Sequence, residues 1–124
     1  TLNITNGDDT AHNLHAWSEV NPSFNEAQPS KGVMTQKKFA KEEILFPIRC
    51  DVHNWMNTFV GVFAHPLHTV SKKGGAYEMK LPAGHYEITA EHEKYGKKTM
   101  SVDVKDGESV DLNFTFKSSD KAAD

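Results

Sequence analysis

Apolar and polar residues alternate along most of this chain with a period of two, the spacing that sends every second side chain of a β-strand to the same face. Leu2–Thr5 is a short β-prone piece, and Asn6-Gly7-Asp8-Asp9 after it reads as a turn. Over residues 12–17 the alternation predicts a strand with His12, Leu14 and Ala16 on one face and Asn13, His15 and Trp17 on the other. If Leu14 faces the core, His12 does too. Residues 19–32, with Pro22, Pro29 and little periodicity, read as a long loop pinned by Phe24. Periodicity returns from Met34, and Ile44, Phe46, Ile48 and Cys50 then share one parity, so Cys50 closes a strand with its sulfur on the buried side. Residues 58–63, holding Phe59, Val60, Val62 and Phe63, read as a strand buried on both faces. The stretch between these two strands must be a tight loop.

The remainder reads as a β-meander. Lys72-Lys73-Gly74-Gly75 is a turn, residues 76–81 a strand with Tyr77, Met79 and Leu81 on one face, and Pro82-Ala83-Gly84 another turn. Residues 85–92 alternate with Tyr86, Ile88 and Ala90 inward, and a turn at 94–97 leads into a strand carrying Met100, Val102 and Val104. Lys105-Asp106-Gly107-Glu108 has hairpin-turn composition, and Val110, Leu112, Phe114 and Phe116 form the last inward face. Residues 118–124 are expected to be a flexible polar tail. No stretch carries a helical period, so the pattern predicts an all-β sandwich.

Length and charge narrow the function without naming it. At 124 residues the chain is long enough to bury a core as one unit. A net charge of −3 gives no field that would recruit a phosphate backbone, so no nucleic acid partner is expected. No apolar run approaches the ~18 residues of a membrane span. A single cysteine excludes an internal disulfide, and one thiol beside seven histidines points to metal chemistry. There is no Gly-rich phosphate loop, no Ser-His-Asp order in a nucleophile context and no zinc-protease helix, so no enzyme activity is expected.

The chemistry concentrates in Cys50-Asp51-Val52-His53-Asn54-Trp55-Met56. A thiolate, an imidazole and a thioether at this spacing after an apolar strand supply three of the four donors of a mononuclear copper site with one soft sulfur and one weak axial ligand. This Cys-x-x-His-x-x-Met stretch resembles the ligand loop of the cupredoxins of amicyanin and pseudoazurin type. The upstream Ala11-His12-Asn13-Leu14-His15 resembles the strand that gives those proteins their first histidine ligand. The resemblance covers residues 1–63. It implies a cupredoxin-like Greek-key sandwich with one type 1 copper held by His12, Cys50, His53 and Met56. Residues 64–117 are similar instead to transthyretin-like and carboxypeptidase regulatory-like β-modules, expected to pack into the same unit. Cupredoxins carry further strands before the first histidine, whereas eleven residues precede His12 here and 68 follow Met56. Either the C-terminal hairpins complete the sandwich or an N-terminal portion lies outside this sequence.

The resemblance further implies electron transfer in the periplasm or another extracytoplasmic place. His53, nearer the surface than His12, would be the electron port, and Trp55 would belong to the patch on which redox partner proteins dock. Of the remaining histidines, His92, His65, His68 and His15 form a candidate second copper or zinc site, set against ordinary roles as hydrogen-bonded turn and surface residues. Two rival functions remain at this point: a copper storage, delivery or sensing module without electron transfer, and a metal-free β-sandwich used for binding.

Overall fold

The computed structural model describes residues 1–120; the end of the expected 118–124 tail lies outside the described residues. The described chain is all-β and divides into two compact units, Thr1–Ala64 and a second that begins at His65. Among the described residues no helix is long and apolar enough to cross a membrane.

The first unit holds β1 (Leu2–Thr5), β2 (His12–Ala16), β3 (Asn25–Gln28), β4 (Met34–Lys37), β5 (Glu43–Arg49) and β6 (Asn57–Val62). β1 pairs with β4, and a second, antiparallel sheet runs in the order β3-β2-β5-β6. Ala16, Phe46 and Ile48 are its buried apolar centre, and Leu2 and Ile4 of β1 pack against them together with Leu14, Phe24, Phe39, Val60 and Val62. The two sheets therefore share one core, as the alternation of β2 and β5 requires. Gln28, 2% exposed, satisfies its buried amide on the Ile4 carbonyl and the Thr35 hydroxyl, and so ties the sheets at one end.

Three expectations for this unit need correction. Residues 19–32 are not all loop: 25–28 form β3, whose Asn-Glu-Ala-Gln composition has no β signature and which exists because β2 offers it a hydrogen-bonding edge. Ile44 does not share the inward face. A register shift between Glu43 and Phe46, with Leu45 at φ +56°, breaks the alternation, so Ile44 is 50% exposed while Phe46 and Ile48 remain inside. β6 is not buried on both faces, because it is the outer strand of its sheet and Thr58 and Gly61 are exposed.

The same bulge gives Glu43 a structural task. Its carboxylate accepts from the Ser18 hydroxyl at 2.5 Å, from the backbone N–H groups of Glu19, Val20 and Asn21, and from the buried Asn21 amide at 3.0 Å. Partial burial alone would raise its pKa, but these donors outweigh that effect and hold it down to about 2. A depressed carboxylate contributes stability that is complete above the unfolded value of ~4.3 and is lost as pH falls through the folded value. Glu43→Ala should therefore destabilise the first unit by about 2 kcal/mol at pH 7 and flatten its acid-unfolding curve between pH 4 and 2. Urea titrations at several pH values check both effects.

The second unit is organised on the hairpin of β7 (Gly84–His92) and β8 (Gly96–Val104), in register from Gly84 opposite Val104 to His92 opposite Gly96. Gly96 at φ +82° takes the left-handed position that closes the turn. The strands expected over residues 76–81 and 110–116 do not form a ladder. Their alternation survives as packing in part: Val110, expected inward, is 42% exposed, and Tyr77 is exposed as well. Leu112, Phe114 and Phe116 are half-buried, Tyr77 lies 6.4 Å from Phe114 between ring centroids and donates its hydroxyl to the Leu112 carbonyl, and Lys98 donates to the Thr115 carbonyl. An apolar period of two reports which side chains face inward, not whether a neighbouring strand takes the backbone hydrogen bonds. Asp120 accepts from the Lys117 N–H and pairs with Lys98, so the chain is anchored as far as it is described.

Candidate metal centre

β2 and the loop after β5 meet at one end of the four-stranded sheet. His15 and Ala16 of β2 pair with Arg49 and Ile48 of β5, which brings the start of β2 beside the residues that follow Arg49. The loop is closed by its own backbone: Cys50 N–H donates to the Met56 carbonyl at 3.0 Å and Met56 N–H to the His53 carbonyl at 2.9 Å. Asn13 then fastens it to β2. Its side-chain oxygen accepts the Asp51 N–H at 2.6 Å and its amide donates to the Asp51 carboxylate at 2.9 Å.

This scaffold brings His12, Cys50 and His53 together. Nδ1 of His12 and Nδ1 of His53 are 3.0 Å apart, and the Cys50 sulfur lies 3.8 Å from the first and 3.7 Å from the second. A triangle with these edges has its corners equidistant from a point about 2 Å away, close to the ~2.0–2.1 Å bond that zinc makes to imidazole and the ~2.3 Å bond it makes to thiolate. The group can hold a metal ion, and among the described residues it is the one set of three His, Cys, Asp or Glu side chains that converges this closely. His12 and Cys50 are buried and His53 is half-buried. Met56, half-buried at the end of the same loop, stands where its backbone closes the turn.

Electrostatics prepare the sulfur. Burial pushes the Cys50 thiol up, but the backbone N–H groups of Asn13 and His53 and the two imidazoles favour the thiolate more, and the pKa falls to about 6. His12 is shifted the other way: its pKa is raised by the hydrogen bond to Asp8 and next by the sulfur. The outer nitrogen Nε2 of His12 is 2.8 Å from Asp8 Oδ2. A carboxylate accepts, so Nε2 carries a proton, and whenever the ring is neutral it is Nδ1 that faces Cys50 and His53 as a lone pair.

The histidines of the candidate second site make other contacts. His15 Nδ1 is occupied by Asp51 at 2.9 Å, and its ring stacks on Trp17 at 4.1 Å between centroids. His92 Nδ1 accepts the N–H groups of Lys94 and Tyr95, the bland role of a turn histidine. His65 Nδ1 accepts from the Leu67 N–H, and the rings of His65 and His68 lie 6.5 Å apart. Sequence reasoning missed Asp8 and Asp51. Asp51 carried a signal in its place beside the cysteine; Asp8 sat in a stretch whose composition announced only a turn. Comparison with protein-family models, with curated proteins and with solved structures finds no match for this chain.

Proposed function

We propose that this protein binds one copper ion as a type 1 centre and carries electrons. The observation that supports the reading is the triangle of two Nδ1 atoms and one sulfur, each about 2 Å from a common point, with the sulfur already biased to thiolate. Two imidazoles and one thiolate are donors that suit both copper oxidation states, and the Met56 thioether would be a fourth, weaker donor. Copper held there would supply one-electron transfer. The chain's own contribution is to fix the donors. Asn13 and the Cys50–Met56 backbone bond hold the loop, so the ligand set need not rearrange between oxidation states. His53 is the more exposed histidine, and beside it, at 5.2 Å between ring centroids, lies Trp55, 74% exposed. An apolar ring standing in water next to a ligand suits brief docking of a redox partner, and such a partner would meet the protein outside the cytoplasm.

The test is an absorption titration of the metal-free protein with Cu(II). One equivalent should produce an intense visible thiolate-to-copper band, and His12→Ala should abolish or strongly displace it. A colourless Cu(II) complex would instead favour storage or delivery, and tight one-equivalent zinc uptake with no coloured copper form would point to a structural site.

A further inference from the structure

The loop between β1 and β2 is built to present one carboxylate. Asn6, 3% exposed, donates its side-chain amide to the Thr10 carbonyl at 2.8 Å and to the Gln28 carbonyl at 3.2 Å, and its backbone N–H to the Val33 carbonyl at 2.9 Å. Its side-chain oxygen accepts the Asp8 N–H at 2.9 Å. The turn is thus pinned to the ends of β3 and β4, and Asp8, with its side chain 63% exposed, points Oδ2 at His12 Nε2 at 2.8 Å. Asp9, the next residue, is 87% exposed and reaches only Lys31, at 3.7 Å.

We propose that Asp8 is a positioning residue for the metal: its carboxylate holds His12 in the tautomer that turns Nδ1 toward Cys50 and His53, and its charge biases the bound ion toward the more positive oxidation state. This rests on the copper reading. A neutral imidazole has two tautomers, and with Nδ1 protonated His12 could not donate to a metal in the triangle; the bond to Asp8 selects the other tautomer. A full negative charge on the far side of the ring also makes Nδ1 a stronger donor, which stabilises Cu(II) over Cu(I). The two roles separate by substitution. Asp8→Asn keeps an acceptor oxygen and removes the charge, whereas Asp8→Ala removes both.

In the metal-free protein, nitrogen-15 shifts of His12 should report the Nε2–H form in the wild type and in Asp8→Asn, and a mixture of tautomers in Asp8→Ala. Asp8→Ala should bind Cu(II) about 10–100-fold more weakly. In Asp8→Asn the ratio of Cu(II) to Cu(I) affinity should fall about tenfold, equivalent to a potential higher by about 59 mV for one electron. Asp9→Asn changes the net charge equally and should leave that ratio within about twofold, since an exposed charge is screened by water and salt. The proposal is overturned if Asp8→Ala keeps the wild-type tautomer and affinity, or if Asp8→Asn shifts the ratio no more than Asp9→Asn. If the wild type takes up no copper, the copper reading fails, and the metal-free tautomer measurement still decides whether Asp8 sets the orientation of His12.

Discussion

Cys50→Ser should abolish the visible copper band and weaken Cu(II) binding by more than the ~100-fold typical of losing an outer partner of a ligand. The sulfur is the one anionic, soft donor of the group, and an alcohol of nearly the same size remains protonated and hard. The variant should fold, because Cys50 lies beyond the end of β5 and the bond that closes the loop runs through its backbone N–H to Met56. A band of wild-type intensity in the serine protein would remove Cys50 from the ligand set. The acid side of the binding curve checks the same assignment. Above the thiol's pKa of about 6 the sulfur is already thiolate, so lowering the pH toward that value costs nothing at this ligand. Below it, each pH unit should reduce copper affinity about tenfold through the thiol alone. His12, raised above the ordinary histidine value, already competes for a proton above that point, so the slope should steepen as the thiol protonates as well. Proton release measured by calorimetry in buffers of different ionisation enthalpy gives the count directly.

The ligand strands were legible because their task is written in short range. The parity of His12, Leu14 and Ala16 and of Phe46, Ile48 and Cys50 places two donors on the inward face, and the tight Cys-to-Met loop follows from the strands on either side. What the pattern could not carry was anything decided by a distant partner. β3 exists through pairing with β2, not through propensity. The bulge at Leu45 comes together with the bonds of Glu43 to residues 18–21, contacts across more than twenty positions of sequence. Residues 76–81 and 110–116 have the alternation of strands but lack the hydrogen-bonded neighbours. Asp8 is the same case at the site: its value lies in a 2.8 Å contact made by a folded turn, and its own neighbourhood in sequence reads only as that turn.

Phe46→Ala should unfold the first unit in the absence of metal and leave it folded when copper is bound. Phe46 is 3% exposed, its ring lies 5.3 Å from that of Phe39, and it is the largest member of a buried apolar centre whose other two members are Ala16 and Ile48. Removing such a ring costs about 3–5 kcal/mol, since the cavity closes only in part. A unit the size of Thr1–Ala64 has a total stability of about 3–10 kcal/mol at ordinary values per residue. With a buried apolar centre of three residues the unit belongs at the low end of that range, where the substitution removes most or all of the margin. The three donors come from β2 and from the loop after β5, so they converge only when the sheet is formed, and an ion that binds them binds the native state alone. At free copper 1,000 times the dissociation constant this linkage returns about 4 kcal/mol, enough to offset the lost ring. Amide signals of β2 and β5 in the Cu(I) protein, which is diamagnetic, should be dispersed in the loaded variant and collapsed in the metal-free one. Ile44→Ala serves as control: the bulge leaves that side chain 50% exposed, and its loss should cost under about 1 kcal/mol. A metal-free Phe46→Ala protein as stable as the wild type would mean that the shared core of the two sheets is not what holds His12 against Cys50. A variant that stays unfolded with copper in excess would mean that the donors do not act on one ion.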